Sequence, residues 1–125
     1  IRVEDHVSGL LTVLKNGITG EKYNIGSNCE LTNLQVVSSI CKILDNLRPK
    51  LDNSSYHELI SFVEDRPGHD ERYSIDNKKV LDLQWKPKFT WENGLLDTVS
   101  WYLKNESFLE KVNNKNYLGE RLGKL

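Results

Sequence analysis

The residues best equipped for chemistry form one uninterrupted run, Asp65-Arg66-Pro67-Gly68-His69-Asp70. Proline fixes one φ, and the glycine beside it lets the backbone approach a ligand closely. Arg66 carries a planar fork of donors that matches a phosphate or carboxylate, and His69 adds a donor that is neutral or cationic. These types at this spacing suit an anion-binding edge. An ordinary turn with solvated charges would use the same residues, and chemistry alone leaves both readings open.

A second place able to hold an anion is the start of the helix that follows Thr32, where free backbone N–H groups point outward. Asn33 stands in its first turn and can offer an amide to a ligand. Every helix has such an end, so unaided the capping role is the stronger reading. The remaining candidates carry less. His6 reads as a surface or capping residue in a helix first turn, and His57 lies in a polar loop without metal-partner spacing. Asp45, Asp52 and Glu58 read as solvated charges. Trp85, Trp91, Trp101 and Tyr102 read as packing residues, with base stacking subordinate.

The elements that must position these groups are legible in outline. Val7, Leu10, Leu11 and Leu14 recur at helical spacing, behind Glu4 and Asp5, whose charges suit a helix start. Asn16-Gly17 is expected to end this helix in the left-handed geometry that glycine permits. Tyr23 to Ile25 reads as a short strand stopped by Gly26. Thr32 and Gln35 form a capping-box pattern ahead of Val36, Val37, Ile40, Ile43, Leu44 and Leu47, and Pro49 lies beyond that helix. Ile60 to Val63 reads as a strand, and Arg72 to Ile75 as a short extended segment. Asp76 is expected to cap a short helix through about Leu83. Trp85-Lys86-Pro87 makes a stop, and Thr90 caps a last amphipathic helix through about Leu103. The tail from Asn105 is polar and reads as loosely packed or frayed. The expected fold class is α/β (mixed α and β), helix-rich with a few short strands.

Composition narrows the function classes. The 125 residues suit one domain, and 38% apolar with 28% charged residues describes a folded, soluble segment rather than a disordered one. A formal net charge of −1, with 17 basic and 18 acidic residues interspersed, argues against a general nucleic-acid or anionic-membrane binder. No apolar run is long enough to span a membrane. Cys29 and Cys41 lack zinc-site spacing and are too few for a disulfide scaffold, so reduced thiols and a cytoplasmic setting are the default, with Cys41 on an apolar helix side. No signal sequence is visible at the start. The chain begins at Ile1 and runs directly into a helix, so further sequence is expected upstream. No glycine-rich dinucleotide fingerprint and no Walker-type loop occurs. Tyr23, Tyr56, Tyr73, Tyr102 and Tyr117 all lack a lysine at +4, so no catalytic Tyr–Lys pair is present.

Val3-Glu4-Asp5-His6, Tyr23-Asn24-Ile25-Gly26, Asn33-Leu34, Asp65 through Asp70, Arg72-Tyr73, Ile75-Asp76, Trp85-Lys86-Pro87 and Thr98 to Leu103 occur in the order seen in dTDP-glucose 4,6-dehydratases. The chain resembles roughly the last third of a member of that family, which belongs to the extended short-chain dehydrogenases/reductases. Tyr-Asn-Ile-Gly is shared widely across the superfamily. The Arg-Pro-Gly-His-Asp loop with the following Arg-Tyr and Ile-Asp is far more specific.

The resemblance implies a C-terminal substrate-binding portion that lacks the N-terminal Rossmann core. Residues 1–125 would form that portion, with about 1–30 abutting the NAD-binding domain of the same protein and about 106–125 as its tail. It implies conversion of dTDP-glucose to dTDP-4-dehydro-6-deoxy-glucose with tightly bound NAD, by oxidation at C4, loss of water across C5 and C6, and return of the hydride to C6. By position Asn33, Asp65, Arg66, Pro67, Gly68 and His69 match residues that hold the sugar nucleotide, with Arg66 on the diphosphate. No catalytic residue is expected within this chain, because the family's Tyr and Lys, Asp-Glu pair and glycine fingerprint lie upstream. The parent protein is expected to be a homodimer built through upstream helices, with no nucleic-acid or membrane partner. Gln84 stands where many relatives have Gly, a change expected to affect the helix end and not the ligand.

Overall fold

The computed structural model describes residues 1–65, 67–69 and 72–112. Helices carry the architecture: α1 (Val3–Asn16), α2 (Asn33–Leu47), a 3₁₀ turn (Tyr56–Leu59), α3 (Lys78–Asp82), α4 (Trp91–Lys104) and α5 (Glu106–Val112). The packing pairs are α2 with the 3₁₀ turn, α2 with α4, α1 with α3 and α4 with α5.

Local chemistry explains most boundaries. Thr32 accepts from the Gln35 N–H at 3.2 Å, and the Gln35 side chain accepts from the Thr32 N–H at 2.8 Å, completing the expected capping box. Thr90 caps α4 by accepting from the Asn93 N–H. The cap of α3 is Asn77, one residue later than expected, while the Asp76 carboxylate takes the Lys78 N–H. Of the tail expected to be loosely packed, Glu106–Val112 forms α5, with a Trp101–Phe108 edge contact and an Arg48–Glu106 ion pair, and the rest of that tail lies outside the described residues.

Gly17 corrects the expected mechanism of the α1 stop. Its φ of −72° is extended, not left-handed. Glycine is needed there for space, since a Cβ would lie 2.5 Å from the Val13 carbonyl oxygen. Left-handed backbone appears instead at Gln84, whose φ of 63° is the geometry that favours glycine.

No strand forms among the described residues. Tyr23 to Ile25 and Ile60 to Val63, both expected as strands, find no ladder partner. Side-chain amides tie the first to the rest: Asn24 donates to the Asp76 carbonyl at 3.1 Å, and Asn77 to the Gly26 carbonyl at 2.7 Å.

The core is small and partly polar. Cys41, Val80 and Trp85 are its buried apolar members among the described residues. Asp5, 1% exposed, accepts from the backbone N–H groups of Lys88 at 2.9 Å and Phe89 at 3.1 Å. Ser8 accepts from Trp85 Nε1 at 2.8 Å and donates to the Asp5 carbonyl. Gly9 lets α1 approach closely, because a Cβ there would meet the Ile25 side chain at 2.8 Å. Val7, Leu10, Leu11 and Leu14, the apolar face expected of α1, remain exposed.

Candidate functional site

A cleft of about 570 Å³ opens at the start of α2. One wall is the approach to that helix, from Cys29 to Asn33 with Gln35, and the other is His69, Arg72 and Tyr73. The capping box fixes the first wall by holding the turn of chain that leads into Asn33. Asn28, at φ 52°, redirects the backbone between Gly26 and that turn.

Asn33 and His69, expected as ligand-holding residues, therefore face one cleft from separate segments. Asn33 is the first residue of α2, where unpaired N–H groups and the positive end of the helix dipole favour an anion. His69 Nδ1 lies 2.8 and 3.0 Å from the two carboxylate oxygens of Asp65. With Nδ1–H donating to that carboxylate, Nε2 is left to face a ligand, as acceptor in the neutral ring and donor in the cation. Asp65 thus orients His69. Gly68 takes a φ of 70° in the intervening turn, the left-handed geometry its position after Pro67 requires. Asp65, Pro67 and Gly68 shape the turn and are not among the residues lining the cleft. Arg66 lies outside the described residues.

The structure also adds to the site two groups that the sequence did not mark as ligand-holding: Glu30, and Arg72, which is legible only as part of the family motif. Glu30 accepts from Arg72 Nε at 2.7 Å and from the Ser74 hydroxyl at 2.7 Å. The Arg72 hydrogen bond and then that of Ser74 hold the Glu30 carboxyl below its usual value, and the Glu30 bond raises the Arg72 guanidinium. The pair keeps both charges fixed on the cleft rim. Opposite charges so far apart in sequence leave no local pattern, so no spacing rule could have found them.

One residue dismissed as solvated is anything but. Asp45, half-buried on α2, accepts from the Ser55 hydroxyl at 2.6 Å and the Tyr56 N–H at 2.8 Å. The Ser55 bond first, then the Tyr56 N–H, lowers its carboxyl from the ordinary value. Its work is to anchor the 3₁₀ turn on α2.

Among the described residues no group of three His, Cys, Asp or Glu could hold a metal ion. Gly20 and Gly68, the glycines at positive φ, do not stand between a strand and a helix, so they do not form a pyrophosphate-binding turn. Among the described residues these glycines do not fit the pyrophosphate of NAD. No described helix is long and apolar enough to cross a membrane.

Residues 1–98 match the family model described as GDP-mannose 4,6 dehydratase. The chain is 53% identical over 108 residues to a dTDP-glucose 4,6-dehydratase of Haemophilus influenzae, covering 84% of this chain and 32% of that protein. It is 45% identical over 122 residues to one from Xanthomonas campestris pv. campestris, covering 97% and 35%. Among solved structures it is similar to a crystal structure of dTDP-glucose 4,6-dehydratase from Bacillus anthracis in complex with NAD. That match has a TM-score of 0.69 and 42% identity, over 85% of this chain and 31% of that one. The chain spans about a third of the length of these relatives.

Proposed function

The chain belongs to the GDP-mannose 4,6 dehydratase family, and from that membership we propose that it is the sugar-nucleotide-binding, C-terminal portion of an NAD-dependent dTDP-glucose 4,6-dehydratase. The observation that carries the reading is the joint placement of Asn33 and His69 in one polar cleft at a helix N-terminus. Such a cleft suits the diphosphate end of a nucleotide sugar: backbone N–H groups and the Asn33 amide on one side, His69 on the other.

In this reading the 125 residues bind and orient the substrate, and hydride and proton transfer belong to the rest of the enzyme. NAD supplies the redox chemistry when bound there. The chain by itself is inactive, having neither a dinucleotide turn nor a Tyr–Lys pair. The exposed Val7, Leu10, Leu11 and Leu14 face of α1 supports docking of the remaining chain against residues near the start. A cytoplasmic homodimer is part of the same proposal.

The family model and the similar proteins are named for different nucleotide sugars, so nucleotide choice is the test. In competition kinetics on the complete enzyme, dTDP-glucose turnover is inhibited by dTDP far more strongly than by UDP or GDP. A preference for UDP- or GDP-sugars would assign the cleft to another extended reductase, an epimerase or a different dehydratase. Binding without any turnover would leave a non-catalytic binding module.

A further inference from the structure

The two walls of the cleft come from distant segments, and one carboxylate ties them together. Glu30 uses both of its oxygens: Oε2 accepts from Arg72 Nε and Oε1 from the Ser74 hydroxyl, each at 2.7 Å. Two donors from one segment fix the direction of the link as well as its length. The near end leads within three residues to Asn33, and the far end follows His69 along the chain. Tyr73, between the two donors, lines the cleft. Yet the Arg72 and Glu30 side chains are 72% and 44% exposed, so the link adds little to overall stability. Its placement on the cleft rim gives it a different use.

We propose that Glu30, with Arg72 and Ser74 as its partners, is a positioning residue that sets the width of the cleft and hence the separation of Asn33 from His69. The identity of the ligand it serves rests on the functional reading above. The link itself does not. A substrate that must touch both walls binds only when they stand at the right distance, and a displacement of about 1 Å is enough to cost roughly tenfold or more.

In the complete enzyme, Glu30→Gln keeps the shape and removes the charge. The expected result is a KM for dTDP-glucose raised about tenfold with kcat changed less than about twofold, the mark of lost ground-state and transition-state binding alike. Its Tm stays within about 2 °C of the wild type, as for other exposed pairs in a protein of that size. The exchanged pair Glu30→Arg with Arg72→Glu recovers most of the affinity. A lowered Tm with unmoved KM would make the pair merely structural and overturn the proposal. So would an exchanged pair as weak as Glu30→Gln, because Arg72 would then be serving the ligand itself. A ligand-free arm separates this from the functional reading: hydrogen exchange in Glu30→Gln speeds up at residues 27–35 and 72–75 and is unchanged around Asp5 and Val80. Unchanged exchange at the cleft overturns the link even if dTDP-glucose binds. Failure of the wild type to bind dTDP-glucose refutes the functional reading, and the exchange data still decide the link.

Discussion

The corner beneath α1 and the cleft at the start of α2 are both held by polar contacts between distant residues, but they are built in opposite ways. At the corner, the Asp5 carboxylate is shut away from water and satisfied by two backbone N–H groups, with Val80 fully buried nearby in α3 and Trp85 bonded to Ser8. At the cleft, Glu30, Arg72 and Asp65 are solvent-facing, and about 570 Å³ of space lies between the walls. Buried hydrogen bonds hold the fold because losing one strands a donor without water. Exposed ion pairs contribute little to folding and can be spent on geometry. The corner should therefore respond to mutation in stability, and the cleft in affinity.

The largest expected effect is at the corner. Asp5→Ala leaves the Lys88 and Phe89 N–H groups, bonded in part-buried surroundings, without their carboxylate and should cost about 2–3 kcal/mol, read by chemical denaturation. A loss below about 1 kcal/mol would mean that water replaces the carboxylate and that the corner is not the anchor. Arg66→Ala in the complete enzyme should weaken dTDP-sugar binding by about 2 kcal/mol or more, read by calorimetric titration. Unchanged affinity with intact folding would make Arg66 structural. Asn33→Ala should weaken the same binding by about 1 kcal/mol while leaving the melting temperature in place, since the capping box at Thr32 and Gln35 survives it.

Two smaller effects refine the contrast. Gln84→Gly relieves a left-handed φ of 63° next to Trp85 and should stabilise the corner by about 0.5–1 kcal/mol without changing affinity. Acid should loosen the carboxylate links at Glu30 and Asp45. Both carboxyls lie below their ordinary values in the folded chain, so their stabilisation is complete above the ordinary range of 3.8–4.5 and disappears as pH falls through the lowered values. Urea midpoints measured between pH 7 and pH 3 should fall only in the acid part of that range.

What was legible in the sequence follows the range of the interaction that decides each feature. Capping at Thr32 and Thr90 depends on residues three apart, and the helices it starts were readable in place. Asp5 was readable only as a carboxylate at a helix start, because its true partners lie at Lys88 and Phe89. Asp45 looked solvated for the same reason, with its partners at Ser55 and Tyr56 across a loop. Tyr23 to Ile25 has strand composition, but its Asn24 side chain bonds the Asp76 carbonyl and the Asn77 side chain bonds the adjoining Gly26 carbonyl, with no ladder among the described residues. Of the cleft, Asn33 and His69 were visible through their own chemistry, whereas Glu30 and Arg72 acquire meaning only when folding sets them 2.7 Å apart.

The most direct measurement is hydrogen exchange on the complete enzyme with and without saturating dTDP. Protection concentrated at residues 29–35 and 67–73, with residues around Asp5 and Val80 unaffected, is the predicted result. Protection confined to other parts of the protein, with residues 29–35 and 67–73 exchanging as in the free enzyme, would contradict the assignment of this cleft to the nucleotide.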